Sequence, residues 1–562
     1  MIDVLIIGSG GAGLTAALSA KKTSTQEGVG LGNASILVVG KAYPTNSQTS
    51  MAQGGMNAAL GNVGEDHVSS HIADTIKSAH GLCDEDSVRH MCADAPATIE
   101  WLDSLGVPFS RLGDSEGSGD NDLLQSNESL SPDSRTAGTK TIAQRQMGGA
   151  SAKRACYAQD YTGLKILHTL YDTCLKENID FSDEHYLLNL ILKEDTVKGA
   201  TFLDIRTGEV IQINAKSVIM ATGGYAALYH GYTTNAYGST GDGVAAVLRA
   251  GGAVSDMEFI QFHPTALKHS SILISESARG EGGYLVNSAG ERFIDELKPR
   301  DEVARAIFSE IQNGKDVFLD VRHLGEEKLM ELLPQEVALC KLHEHVDPAK
   351  ELIPIKPVAH YTMGGIDVDY TLEVNGIKGC FAVGECSNAK VHGANRLGGN
   401  SLLEITAFGK LAGENAYKHA VYASNKEVDD TQLTQDKAQL KNIYKKESQV
   451  NFYDNRDALG KLFYENVGIV RNNPSLDDAL KEVISMQVSL PQMGISDKSP
   501  TNNTNLIDFL EFSNALLLAP TIISSAIARD ESRGAHYKEG FETQDDEHFA
   551  KHIVLQWKKE NI

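Results

Sequence analysis

Residues 1–13, MIDVLIIGSGGAG, constrain the fold more than any other stretch of this chain. Val4, Leu5, Ile6 and Ile7 form a short apolar run suited to a buried parallel strand. Gly8, Gly10 and Gly13 follow as a GxGxxG turn, and Ala16, Ala17, Leu18 and Ala20 continue an apolar helix from about Ala12. In such a turn one glycine makes the tight bend, one admits a pyrophosphate against backbone, and one lets helix and strand pack closely. The unpaired N–H groups of the helix N-terminus then face the anion. An α/β nucleotide-binding fold is the expectation.

A chain of 562 residues holds more than one core. A second strand over 36–39 ends at Gly40 and Lys41, where an ordinary NAD site has an acid for the ribose. Residues 44–60 are dense in hydroxyls, amides and glycines suited to lining a polar cofactor. A helix over 68–81 and two short helical patterns within 87–105 follow, then a polar surface excursion over 110–139. A helix over 163–176 precedes strands at 187–192, 199–204 and 209–213, with a hairpin at 206–208. Another buried strand, 217–220, ends in a glycine turn, and Asp242 sits near the start of a helix over 238–250. Composition shifts at about 262, returns to the nucleotide-binding pattern after 345, and becomes helical from 415 to about 530. A charged tail, 531–562, ends the chain.

The net charge of −24 argues against nucleic acid as a partner. Seven cysteines form no disulfide framework and no CxxC cluster, so a reducing compartment is expected, with no metal site and no iron–sulfur cluster in this chain. The chain opens on a core strand, which leaves no room for a secretory signal. No uninterrupted apolar run approaches the length of a membrane span, so no transmembrane segment is expected. Together these point to the cytoplasm.

Several further stretches are specific. They are MAQGG at 51–55, QFHPTAL at 261–267, LISESARGEGG at 273–283 and ERF at 291–293. PRDEVARAI at 299–307, HYTMGG at 360–365, HGANRLGGNSLLE at 392–404 and ESRGAHYKEGFETQDD at 531–546 complete the set. In this order they resemble the flavoprotein of the succinate dehydrogenase and fumarate reductase family, a relative of L-aspartate oxidase. The resemblance implies an α/β fold with a Rossmann-like FAD-binding domain in two parts, 1–261 and 346–414. An α+β capping domain, 262–345, is inserted, and a helical domain, 415–530, precedes the tail. It also implies hydride transfer at the flavin to or from a C4 dicarboxylate.

Residue roles follow from the resemblance. Arg300 would deliver or remove the substrate proton, with Glu276 and Arg279 as its relay. His263 and Ser275 would meet one substrate carboxylate, and His360 and Arg396 would clamp the other. Gly8, Gly10 and Gly13 would meet the pyrophosphate, and Lys41, Ser47, Thr49, Gln53, Gly54 and Gly55 would line the track from adenosine to isoalloxazine. Asp242, Glu385, Asn395, Ser401 and Leu402 resemble residues around the ribityl chain and pyrimidine end. The chemistry is coherent: a dicarboxylate needs cations at both ends, and the guanidinium fork matches a carboxylate. Each residue also has a plainer reading, as a satisfied core histidine, a helix-start arginine or a loop anchor.

Two departures refine the expectation. Gln48 stands where respiratory members carry the histidine bonded covalently to the flavin, and an amide is no such nucleophile, so FAD is expected to be non-covalent. Met147 precedes Gly148 and Gly149, where L-aspartate oxidase has a glutamate that meets the substrate ammonium. Fumarate or succinate is therefore favoured over aspartate. The respiratory reading implies an iron–sulfur partner subunit and, through it, a membrane anchor or other redox module at the cytoplasmic face. The alternatives are L-aspartate oxidase and a non-catalytic flavin-binding assembly protein. Acid precipitation of the purified protein is expected to release all its flavin into the supernatant; fluorescence retained on the denatured polypeptide would refute the non-covalent assignment of Gln48.

Overall fold

The structure, a computed structural model, describes residues 1–26, 34–113, 141–423 and 429–557. Most of the polar excursion expected over 110–139 lies outside them.

The core sheet grows outward from the N-terminal strand Ile2–Ile7. It pairs in parallel with Ile36–Val39 on one side and with Val210–Met220 on the other. Asp180–Ser182 and Cys380–Ala382 extend the parallel part. Strands buried on both faces need continuous apolar runs, and Val4, Leu5, Ile6, Val38, Val218 and Ile219 are all buried. The strand Val210–Met220 joins what the sequence reads as two strands, 209–213 and 217–220. Its first half pairs antiparallel with Thr196–Asp204, and its second half pairs parallel with Ile2–Ile7. One continuous ribbon thus carries the hairpin His185–Asp204 on the nucleotide-binding core. The region 87–105 is likewise one helix, Glu85–Leu105, despite Pro96 within it. Asp84 caps its start by accepting from Ser87 N, and Gly106, at φ 104°, ends it.

Two helices frame the nucleotide end. Gly11–Ser24 begins directly after the glycine turn, and Asn400–Tyr422 lies against it. Their approach is close enough that a Cβ on Gly413 would stand 2.1 Å from Ala16 O. Asn400–Tyr422 runs through position 414 without a break. Residues 260–362 contain an antiparallel sheet, in the order Ile260–Leu267, Ile353–Thr362, Val317–Asp320, Tyr284–Asn287. It has its own core, including Leu267, Ile274, Leu285, Val303, Leu319 and Ile355. Its strand Ile353–Thr362 lies beyond residue 345 and leads back into the nucleotide-binding part.

The C-terminal helices are Thr431–Lys445, Phe452–Asn466, Asn473–Ser489 and Thr504–Ala528. The last departs from the sequence expectation, because its 25 residues are long and apolar enough to cross a membrane by length and composition. It is instead mostly buried within the protein, against Asn473–Ser489 and Asp242–Arg249. Asp508, Glu511 and Asn514 interrupt its apolar sequence, which is why no uninterrupted run is visible there.

The glycine turn shows why its spacing is strict. Gly8 sits at φ +116°, and a Cβ there would come within 2.0 Å of Ala221 O at the end of the neighbouring strand. A Cβ on Gly13 would stand 1.9 Å from Gly8 O. Gly13→Ala is expected to cost about 1–3 kcal/mol or more through overpacking against rigid backbone. The loss should be read as a lowered Tm together with reduced flavin retention on gel filtration; an unchanged Tm would show that helix and turn separate at no cost.

Candidate active site

The glycine turn, the segment 41–55, the cap and the start of helix Asn400–Tyr422 enclose one cavity of about 440 Å³. This volume is of the size that takes a small molecule or cofactor. Gly8, Gly10, Lys41, Ser47, Thr49, Gln53, Gly54, Gly55, Glu385, Ser401 and Leu402 line it, as the sequence anticipates, and Gln48 joins them. At its other end His263, Ser275, Glu276, Arg300, His360 and Arg396 line the same cavity. A cofactor and a small substrate would therefore share one continuous space.

Four expected residues stand off this cavity. Gly13 packs against Gly8 at the strand–helix contact and does not line the cavity. Asp242 is turned into a buried polar cluster, accepting from Lys41 Nζ (2.6 Å), Tyr186 Oη (2.9 Å) and Asn514 Nδ2 (2.9 Å). Lys41 also pairs with Glu511 at 2.5 Å. Burial opposes the Lys41 charge, yet the two carboxylates raise its pKa above the ordinary lysine value. Asn395 bonds Ser78 and Asp301 and accepts from Gln261, behind the wall. Arg279 lies one layer deeper, beyond Glu276. Asp242 and Asn395 are committed by tertiary partners far away in sequence, such as Asn514 and Asp301, which no local motif signals.

The polar lining fits a dinucleotide cofactor. Ser47 Oγ, Gln53 Oε1 and Thr222 Oγ1 are buried with no hydrogen-bond partner in the protein, and all three residues line the cavity. Buried polar atoms are rarely left unsatisfied, so such a row marks a ligand surface. Gly10, Gly11 and Ala12 bring the N-terminus of helix Gly11–Ser24 to the wall, and Ser401 and Leu402 bring that of Asn400–Tyr422. Both present N–H groups and positive dipole ends suited to an anionic ligand.

The cap end is a cationic pocket. Arg300 begins helix Arg300–Gln312, directly after Pro299. Its Nη2 and Nε donate to Glu276 Oε2 at 2.6 and 2.9 Å. Glu276 Oε1 accepts from Gly148 N at 2.7 Å and lies 3.8 Å from Arg279 Nη2. Glu276 is thus flanked by guanidiniums on both sides. Burial would raise its pKa, but Arg300 and Arg279 hold it below the usual carboxylate value. Arg396 stands 4.3 Å over the Tyr361 ring, and burial beside Arg300 lowers its pKa to about 10.

Local irregularity in the cap sheet delivers the two histidines. Between strands Ile260–Leu267 and Ile353–Thr362 the register runs Gln261 to Tyr361 and then Phe262 to Ala359, leaving His360 as the extra residue of a bulge. His263 and His360 then lie with ring centroids 4.8 Å apart. Thr234 Oγ1 bonds His360 Nδ1 at 2.7 Å, and Thr265 holds His263 Nδ1. Burial and the nearby guanidiniums push both well below the ordinary histidine pKa.

Sequence motifs alone left other parts of this site unassigned. Gln261, inside QFHPTAL, donates to Asn395 and the backbone of Arg396, and its Oε1 faces both site arginines. Tyr361, inside HYTMGG, lines the cavity and donates to Glu404 at 2.9 Å. The tail motif reaches the site indirectly: Ala535 N donates to Ala394 O, and Gly534 O accepts from Arg305, which pairs with Asp301. Arg529, Glu258, Glu531 and Arg533 form a fully buried ion network that fixes this tail.

Comparison with known proteins agrees with this arrangement. Residues 3–402 match the family described as FAD binding domain, and residues 456–562 match that described as fumarate reductase flavoprotein C-term. The chain is 37% identical to the fumarate reductase flavoprotein subunit of Escherichia coli, over 98% of this chain and 91% of that protein. It is 38% identical to the succinate dehydrogenase flavoprotein subunit of Coxiella burnetii, over 98% and 94% of the two chains. Among solved structures, an E. coli quinol fumarate reductase chain superposes with a TM-score of 0.90 at 36% identity, covering 100% of this chain and 95% of that one. With the FAD-binding match spanning both parts of the nucleotide-binding core, this chain belongs to the FAD-binding flavoprotein family of succinate dehydrogenases and fumarate reductases.

Proposed function

We propose that this chain interconverts fumarate and succinate as the flavoprotein subunit of a fumarate reductase or succinate dehydrogenase complex. The observation that carries the reading is the buried Arg300–Glu276–Arg279 row beside Arg396: Arg300, Glu276 and Arg396 line the cavity that also holds the glycine turn, with Arg279 behind them. FAD, when bound, supplies the hydride acceptor or donor. Arg396 and His360 hold one carboxylate of the substrate, and His263 and Ser275 hold the other. Arg300 and Arg396 bring guanidinium charge to this end of the cavity, with Glu276 paired to Arg300, and that charge suits a dianion. The same fixed charge stabilises the negative charge that builds as hydride reaches the double bond.

Arg300 gives a proton to the substrate carbon during fumarate reduction and takes one during succinate oxidation. An arginine is a weak acid, so the step depends on rapid replenishment. Glu276, bonded to Arg300 and facing Arg279, is arranged to pass a proton between them. Burial and the nearby guanidiniums disfavour protonation of His263 and His360, so neither competes with Arg300 as the acid. Ser275 caps the helix that carries Glu276 and Arg279, its Oγ accepting from Ser277 N at 3.0 Å.

The cofactor is held without a covalent bond. Gln48 Oε1 accepts from Ala236 N at 3.0 Å, so this side chain ties two cavity walls together. L-aspartate is disfavoured because Met147 is buried in the cavity wall and offers no charge to an ammonium group. Electrons pass to or from an iron–sulfur partner subunit and, beyond it, a membrane anchor or another redox module at the cytoplasmic face.

Arg300→Ala is expected to lower fumarate reduction with a reduced dye by about 10²-fold or more while the flavin spectrum remains, because the proton donor is lost. Near-normal turnover would remove Arg300 from that role. Steady-state rates on fumarate, succinate and L-aspartate test the substrate class. Fumarate reduction and succinate oxidation are expected; rapid L-aspartate oxidation with little succinate turnover would overturn the reading.

A further inference from the structure

Gln261 is wholly buried on strand Ile260–Leu267, behind the wall formed by the two site arginines. Its Oε1 accepts from Arg300 Nη1 and from Arg396 Nη2, each at 3.1 Å. Its Nε2 donates to Asn395 Oδ1 and to Arg396 O, each at 2.8 Å. Both donor hydrogens and both acceptor directions of the carboxamide are in use. The orientation is fixed by these partners, since a flipped amide would set its N–H groups against two guanidiniums.

A plain core glutamine would need only satisfied hydrogen bonds. This one does something more specific, because a single neutral oxygen receives two like-charged groups in a buried site, where their repulsion is strong. Glutamate would hold the two arginines more tightly, but it would neutralise charge needed by a dianion. An apolar residue would leave both guanidiniums short of an acceptor. We infer that Gln261 is a positioning residue whose neutral carboxamide fixes the spacing of Arg300 and Arg396 and leaves their positive charge available to a dicarboxylate. The inference rests on the fumarate–succinate reading of the site.

The experiment uses the full-length, FAD-loaded protein with Gln261→Glu and Gln261→Met. Malonate, a non-reacting dicarboxylate, is titrated by its effect on the flavin absorbance at low and high ionic strength. Fumarate reduction with a reduced dye gives kcat and KM separately. Gln261→Glu is expected to weaken malonate binding and raise KM by about tenfold or more, with a flattened salt dependence, because one negative charge now offsets the arginines. Gln261→Met keeps the volume and removes the bridge, so kcat should fall by about tenfold or more while malonate affinity falls less. Malonate affinity and salt dependence of Gln261→Glu within about threefold of the unmodified protein would overturn the inference. Should Gln261→Glu fail to retain flavin, Gln261→Met decides: a kcat within about threefold of normal overturns it. An unmodified protein that neither binds malonate nor reduces fumarate would instead refute the proposed function itself.

Discussion

The arrangement of this protein turns on keeping several guanidinium groups charged while their side chains are buried. Arg279, Arg300 and Arg396 are all nearly fully buried, the last two lining one end of the cavity and Arg279 standing behind Glu276. Removing like charges from water is costly, and bringing them together adds repulsion. Glu276 offsets part of that cost by lying between Arg300 and Arg279, and Tyr361 offers the face of its ring to Arg396. What remains uncompensated is a positive field, which a dicarboxylate is suited to complete.

Holding that cluster requires supports from distant parts of the chain. The cap sheet supplies His263 and, through a bulge, His360. The loop 148–149 gives a backbone N–H to Glu276, where a Cβ on Gly148 would stand 2.2 Å from Glu276 Oε1. The tail, almost the last part of the chain, braces Ala394 next to the Asn395–Arg396 loop. Its buried Arg529–Glu258 and Arg533–Glu531 pairs are shielded from solvent, so the bracing does not depend on a mobile surface contact. A small pocket is thereby tied to nearly every layer of the fold.

The cofactor half follows a different logic. There much of the lining is backbone and short neutral side chains, beside Lys41 and Glu385, with helix starts aimed inward. Lys41 and Asp242 look in sequence like a basic residue and an acid available to a nucleotide. In the fold they pair with each other and with Glu511, joining the nucleotide-binding core to helix Thr504–Ala528. The same contact explains why that apolar helix carries Glu511 and Asn514: they are buried against Lys41 and Asp242. Its apolar length reflects burial between protein layers.

The strand–turn–helix opening is legible in the chain alone, because only glycine tolerates the contacts at Gly8 and Gly13, and period and composition suffice to locate it. The local sequence also determined which residue types meet in the pocket, since His263, Glu276, Arg300, His360 and Arg396 each sit in a distinctive local motif. It could not determine direction or commitment. Whether Asp242 faces a ligand or Lys41, whether 209–220 is one strand or two, and whether Thr504–Ala528 is a core helix all depend on partners hundreds of residues away. Packing in three dimensions settles these points, because hydrogen-bond and ion-pair partners across layers, unlike hydrophobic periodicity, leave no local trace in the chain.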